Sequence, residues 1–386
     1  MIKEVWPMIY SEAEAREAVI EAGHRLREAG LVARTWGNIS ARISEDQFVI
    51  TPSGLAYETM RPEDLVIVNI QDGSHQGSRK PSSEKGIHAD AYRLRPDIHF
   101  VIHTHQSAAT VFGIGGMDLT KDLPDILGDC VPCAAYGLPS TKTLRKAVAK
   151  EVEMHPESKA FFMKNHGALC LGTDETEAFK VSAALEEACG KQLAFLDKRI
   201  RAASGGRAKD FGKSVRSGHR FLLTWKGMKK IYDLKRLPKD MPEAAAIHAA
   251  IYKKYDVTCI YHEKSREVRA WSRQARTLRP YVDDLAQIGG VCIGCVSGMV
   301  RDEIVDGLNN CNAVCLFGNG ALCTGKTRDD TLAVAMILRK GALSALYAKT
   351  LSDCEPISKP DARLQRMIYL HTYSRKKEDS GVCLKS

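Results

Sequence analysis

Two pairs of stretches in this chain repeat each other, and that repetition limits the fold more than any other feature. "KAFFMKNHGALCLGTDETEAFKVSAALEEACGKQLAF" from Lys159 and "NAVCLFGNGALCTGKTRDDTLAVAMILRKGALSALYA" from Asn312 share one pattern. Each is a short apolar strand, a tight turn into Gly-Ala-Leu-Cys, then a long helix rich in Ala and Leu. "GIHADAYRLRPDIHFVIHTH" and "AIHAAIYKKYDVTCIYHEKS" match in the same way, with Ile-His-Ala, a tyrosine four residues on, a basic turn and a strand. The Cys-x-x-Cys pairs Cys130/Cys133 and Cys292/Cys295 fall between these segments in both copies. Similarity of this kind marks an internal duplication, so one fold is built twice.

A length of 386 residues with 44% hydrophobic and 27% charged content suits two globular domains. The pattern predicts a first domain over residues 1–203, a basic Gly- and Ser-containing linker over 204–240, a repeat over 241–351 and a polar tail over 352–386. Helices are expected near Glu12–Ala29, Glu84–Arg95, Lys142–Glu153 and Glu175–Ala203. Strands are expected near Asn38–Ile43, Gln47–Thr51, Leu65–Asn69, His99–His103 and Ala160–Lys164. The second copy reads as shortened, with no counterpart of the segment from Arg34 to Gly54.

Composition narrows the function classes. A net charge of +9 suits anionic small molecules, and the densest basic stretch, Arg201 to Arg220, has Phe211 as its only aromatic. Without a stacking platform, nucleic-acid binding is not expected. No run of 18 apolar residues predicts a membrane span, and the N-terminal stretch reads as an acidic amphipathic helix rather than a signal peptide. Twelve cysteines then suggest free thiols in a cytoplasmic protein.

The chemistry concentrates in the first copy. In "FVIHTHQSAATVF", His103 and His105 stand two apart on a strand and so share a face. They are either solvated polar residues or two of the three imidazoles of a catalytic metal site, with His166 on the Asn-His-Gly turn as the third. The alignment of the copies sets His262 against His103 but Lys264 against His105 and Asn319 against His166. It also sets Ala244 against Glu84, and Ser297 or Gly298 against Tyr136. An ammonium has no lone pair to donate, so the second copy reads as metal-free. Three donor-rich turns, at Gly37-Asn38, Ser53-Gly54 and Ser82-Ser83, form a candidate anion pocket, although Pro-Ser-Ser-Glu alone is also an ordinary helix start. His88 and His248 read as residues of a repeated helix face.

Gly37-Asn38, Thr51-Pro52-Ser53-Gly54, Pro81-Ser82-Ser83-Glu84, His103-Thr104-His105 and His166-Gly167 together resemble, in order and spacing, the class II aldolase/adducin family. The stretch from about Ser11 to Ala203 is similar to its zinc-dependent fuculose-phosphate aldolase branch. The resemblance implies an α/β/α sandwich around a mainly antiparallel sheet, here present as an internal duplication. It implies Zn2+ or another divalent metal on His103, His105 and His166, with Glu84 as acid/base. It implies substrate phosphate on Thr35, Asn38, Ser53, Gly54, Ser82 and Ser83, and Tyr136 as the residue protonating the aldehyde oxygen. The activity implied is retro-aldol cleavage of a small phosphorylated ketose or hydroxy-ketone through a metal-bound enediolate. Decarboxylation of a 3-oxo acid phosphate on the same site, a non-catalytic adducin-like scaffold and iron-based oxygen chemistry are the alternatives. Members form four-fold rings, so a homo-oligomer is expected, with two chains closing a pseudo-four-fold ring.

Overall fold

The computed structural model describes residues 10–32 and 35–373. It forms two compact units that part between Leu193 and Ala194. The first contains strands β1 (Asn38–Arg42), β2 (Gln47–Ile50), β3 (Val66–Asn69), β4 (Phe100–Thr104), β5 (Cys133–Ala134), β6 (Ala160–Met163) and β7 (Gly167–Gly172). Its helices are α1 (Glu12–Glu28), α2 (Lys85–Leu94), α3 (Ser107–Gly113), α4 (Lys142–Met154) and α5 (Glu175–Leu193). The strands form one sheet in the order β3-β2-β1-β4-β7-β6-β5. Every neighbouring pair is antiparallel except β5 with β6.

Alternation sorts the side chains to two covered faces. One face packs Phe48, Ile50, Val101, Leu169 and Leu171 against Ile87 and Tyr92 of α2 and Leu144, Val148 and Val152 of α4. On the other face lie α1, α3 and α5. Helix α1 starts at a capping box, in which Ser11 Oγ accepts from Glu14 N–H and Glu14 Oε2 accepts from Ser11 N–H. Its buried residues Ala15, Val19, Ala22 and Leu26 recur at helical spacing. Arg25 then fastens α1 to α5, its Nη1 lying 2.6 and 2.8 Å from the two carboxylate oxygens of Glu175.

The second unit repeats this plan. Its strands are β8 (Lys213–Ser217), β9 (Arg220–Trp225), β10 (Met228–Asp233), β11 (Cys259–Glu263), β12 (Cys295–Val296), β13 (Ala313–Leu316) and β14 (Gly320–Gly325), in the order β10-β9-β8-β11-β14-β13-β12. Its helices are α6 (Phe195–Ser204), α7 (Glu243–Lys254), α8 (Arg266–Ser272), α9 (Arg301–Gly307), α10 (Arg328–Ala348) and α11 (Lys359–Ile368). A buried polar chain is reproduced atom for atom. Ser40 Oγ lies 2.6 Å from His88 Nδ1 and 2.7 Å from Tyr92 OH, and Ser214 Oγ lies 2.7 Å from both His248 Nδ1 and Tyr252 OH. Cys133 and Cys295 likewise occupy the matching two-residue edge strands.

Four sequence expectations are corrected here. The stretch 204–240 is not a linker, because β8, β9 and β10 run through it as counterparts of β1, β2 and β3. The second copy therefore does have an equivalent of the segment that begins at Arg34, and the repeat starts before 241. Two glycines of the expected linker instead sit in two-residue hairpin turns, Gly218-His219 between β8 and β9 and Lys226-Gly227 between β9 and β10. Lys226 and Gly227 both have positive φ, which matches the strands' own twist. The helix expected over Glu175–Ala203 breaks at Ala194, and α6 belongs to the second unit, where Ser204 O accepts from Arg269 Nη2 at 2.9 Å. The tail expected over 352–386 contains α11, held by Arg366 Nη1, which donates to Gln287 O and Ile288 O at 2.7 and 2.8 Å; residues 374–386 lie outside the described residues.

The copies differ in how their first three strands are covered. Ala41 and Val49 are fully buried beneath α1. Their counterparts Val215 and Leu222 form a cross-strand row with Ile231, exposed at 51%, 40% and 65%. Among the described residues α10 alone is long and apolar enough to cross a membrane, and it is a core helix with Val334, Ile337, Leu338 and Ala345 buried.

Candidate active site

The site forms where β1, β4 and β7 end against the start of α2. Asn38 of β1 is directly opposite His103 of β4, and His103 is opposite Leu169 of β7. Gly37 makes the approach possible. Its φ is +84°, and a Cβ there would lie 2.4 Å from His103 O. Beyond β7's first residue, the turn through Asn165, itself at φ +64°, carries His166 back to β4. His105 follows the last residue of β4.

The three imidazoles converge, with ligand-capable nitrogens all within 4.8 Å of one another. His103 Nε2 lies 3.0 Å from His105 Nε2. Glu84 caps the first turn of α2 in sequence but makes no side-chain cap; its carboxylate faces the histidines instead. Oε1 lies 3.0 Å from His166 Nε2 and Oε2 lies 3.3 Å from His103 Nε2. Burial pushes the Glu84 carboxyl up, but attraction to His166 and His103 outweighs it and holds the group well below the usual carboxylate range. Burial pushes His103 down to about 3, so its ring is neutral at physiological pH.

The chemistry of this donor set fits a divalent cation. His103 Nδ1 sits 2.9 Å from Ala168 O, which can only accept, so Nδ1 carries the proton and Nε2 presents a lone pair. That lone pair faces the Glu84 carboxylate oxygen 3.3 Å away, and a cation held between them would offset the repulsion of the two. Three imidazoles plus an adjacent carboxylate match the donors of a catalytic metal with an open position.

The donor-rich turns are drawn to the same end of the sheet. Pro52 and Pro81 form a bridge, Ser82 N–H donates to Thr51 O at 3.1 Å, and Ser53 N–H donates to Lys80 O at 3.0 Å. Ser82 is buried and its Oγ accepts from Glu84 N–H at 3.2 Å. Ser83 is exposed and accepts from Ser140 Oγ at 2.8 Å. Thr35 is half-buried just before Gly37, Ser53 is half-buried, and Gly54 is exposed with φ +81°. Tyr136 is half-buried in the loop leaving β5; because β5 runs parallel to β6, that loop leaves at the end of the sheet from which the His166 turn also departs.

In the second unit the equivalent place is closed by other bonds. Lys264 Nζ lies 2.5 Å from Asp210 Oδ1. Asn319 exchanges bonds with the Lys209 backbone at 2.6 and 2.9 Å, and His262 Nε2 lies 2.9 Å from Asn319 O.

One group went unrecognised in the sequence. His88 is completely buried, and its Nε2 lies 2.5 Å from Asn38 Oδ1, while Asn38 Nδ2 donates to Glu84 Oε2 at 3.1 Å. The signal available was the paired recurrence of Ile-His-Ala with a tyrosine one helical turn on, which set His88 and Tyr92 on one face.

Fold and site together define an α/β protein with three imidazoles and one carboxylate gathered at one end of the sheet's central strands. The chain belongs to the class II aldolase and adducin family, whose N-terminal domain profile matches residues 17–193 and 221–346. The second match begins within the stretch that reads as a linker. A 5-deoxy-D-ribulose 1-phosphate aldolase of Bacillus thuringiensis serovar kurstaki is 36% identical over 174 residues, 44% of this chain and 80% of that one. An L-fuculose 1-phosphate aldolase structure is 30% identical with a TM-score of 0.45, covering 50% of this chain and 89% of its own. The L-fuculose-1-phosphate aldolase structure from Thermus thermophilus is 25% identical with a TM-score of 0.41, covering 48% of this chain and 96% of its own.

Proposed function

We propose that this protein is a zinc-dependent aldolase that cleaves a small ketose 1-phosphate. The observation carrying this is the convergence of His103, His105 and His166 with the Glu84 carboxylate set against two of them. His103, His105 and His166 would hold a zinc ion, which would supply Lewis-acid stabilisation of the substrate's oxygens. The turns bearing Thr35, Asn38, Ser53, Gly54, Ser82 and Ser83 offer hydroxyls, an amide and backbone N–H groups for the phosphate. In the cleavage direction Tyr136 takes the proton of the hydroxyl on the carbon that becomes the aldehyde. The carbon–carbon bond would break as that carbonyl forms. Tyr136 passes the proton on through solvent to the Glu84 carboxylate, which delivers it to the carbon left behind, so no proton is gained or lost.

The aldolase belongs with phosphorylated sugar metabolism and is read as a cytoplasmic homo-oligomer in which two chains close a pseudo-four-fold ring. A light-scattering mass of one chain would overturn that assembly. The test of the activity is metal content by mass spectrometry together with a screen of ketose 1-phosphates, on the wild type and on His105→Ala and His166→Ala. About one zinc per chain, lost in both variants along with cleavage, is expected. Metal retained in both variants, or no metal after reconstitution, would refute the reading.

A further inference from the structure

Five buried groups form a continuous hydrogen-bonded chain that ends on the Glu84 carboxylate, and its directions can be assigned from one end. The carboxylate can only accept, so Asn38 must present its NH2 to Glu84 Oε2, 3.1 Å away. Asn38 Oδ1 then faces His88 Nε2 at 2.5 Å and needs a donor there, which makes His88 the Nε2–H tautomer. His88 Nδ1 is left as an acceptor for the Ser40 hydroxyl at 2.6 Å, and Ser40 Oγ accepts from Tyr92 OH at 2.7 Å. Every donor meets an acceptor, and Tyr92, Ser40, His88, Asn38 and Glu84 are all buried.

The second unit serves as an internal control. It keeps Ser214, His248 and Tyr252 in the same bonds, so that part of the chain belongs to the fold. Where Asn38 and Glu84 stand it has Gly212 and Ala244, and His248 Nε2, fully buried, has no hydrogen-bonding side chain among the described residues. Losing the carboxylate and losing the amide that reaches it go together.

We infer that His88 is a positioning residue: its Nε2–H holds the Asn38 amide in the one orientation that donates to Glu84, and thereby fixes the carboxylate against the three imidazoles. For its kinetic reading the inference rests on the proposed aldolase activity. Hydrogen bonds to a charged group are worth about 1.5–3 kcal/mol, which converts to roughly a tenfold to hundredfold effect. His88→Leu is expected to lower kcat by about that factor; because Asn38 is also a proposed phosphate contact, the effect on Glu84 is read from kcat at saturating substrate rather than from KM. His88→Gln, which can place an N–H near the position of Nε2, should restore most of the loss. A purely structural role would instead lower kcat in both variants in step with their melting temperatures. The second readout needs no substrate. In 15N-histidine spectra of the full chain, with the His88 signal assigned by its absence from His88→Gln, the wild type should show the neutral Nε2–H tautomer. Asn38→Leu should lose exchange protection at that proton. An Nδ1–H tautomer, or equal kcat for His88→Leu and His88→Gln, overturns the inference. If the wild type cleaves no ketose 1-phosphate, the functional reading fails and the tautomer alone decides this one.

Discussion

Gly37 and Gly54 form a matched pair that isolates the close approach on which the site depends. Their φ values are +84° and +81°, so alanine carries about the same left-handed strain at each, roughly 1–2 kcal/mol. Their surroundings differ. A Cβ at position 54 meets nothing within 4 Å, whereas at position 37 it lies 2.4 Å from His103 O. Carbon–oxygen contacts settle near about 3.3 Å, so β1 would have to retreat from β4 by roughly 0.9 Å. Overpacking of that size adds about 1–3 kcal/mol. Gly54→Ala should therefore cost about 1–2 kcal/mol and Gly37→Ala about 2–5. Hydrogen exchange of peptides covering β1 and β4 reads the opening of this sheet without requiring the whole chain to unfold in one step. Because the displaced carbonyl belongs to His103, Gly37→Ala should also weaken Co2+ binding, followed by absorbance, by tenfold or more, while Gly54→Ala leaves it within about twofold. Equal losses in the two variants would refute the argument, since only strain would then be at work.

Two further outcomes follow from burial. His248 and His262 are held down to about 3 and about 4 by desolvation, whereas an unfolded histidine takes its proton near pH 6.5. The unfolded state then binds more protons below pH 6.5, so stability is full above that value and falls as pH drops toward 4. Between pH 7.5 and 5.5 the opening free energy of β11 and β14, from exchange rates corrected for intrinsic pH dependence, should fall by about 2–3 kcal/mol; a flat profile would contradict the burial of both rings. On the open sheet face, Ile231→Lys should change stability by less than about 0.5 kcal/mol. Val49→Lys, at the buried counterpart of Leu222, should cost more than about 3 kcal/mol, read by the same hydrogen-exchange measurement on β1 and β2.

The duplication was legible because Gly-Ala-Leu-Cys and Ile-His-Ala sit at the tightest points of the fold, where a strand enters a turn or a helix faces the sheet. His103 and His105 alone read equally well as solvated polar residues; the trio was legible only once His166 on the Asn-His-Gly turn and the donor-rich turns were set beside them. Strands β8 to β10 were hidden by their own solvation. With Lys213, Arg220, Lys229 and Lys230 on or beside an uncovered face, their composition is that of a linker, and only the register of the hairpins shows otherwise. His88 was hidden for the opposite reason. A histidine on a buried helix face has the same sequence signature whether it fills space or directs a hydrogen bond, and its partners Ser40 and Asn38 come from a strand about fifty residues earlier. The break at Ala194 has no local signal, because "QLAFLDKRI" is continuous helix by propensity.

The bond between Arg25 and Glu175 has a consequence for the order in which this chain can be made. Within the first unit helix α1 is synthesised first, yet one of its supports, α5, lies 150 residues further on. At about 5–20 residues per second, that separation amounts to roughly 8–30 seconds of translation. Throughout that interval Ala15, Val19 and Leu26 lack a complete surface to pack on, so the interval is the period in which a holding chaperone would find a binding site. The last residue of α5 is also the last of the first unit, so that unit closes just as synthesis of the second begins. Slowing elongation before Glu175 lengthens the vulnerable period, and slowing it after Leu193 does not.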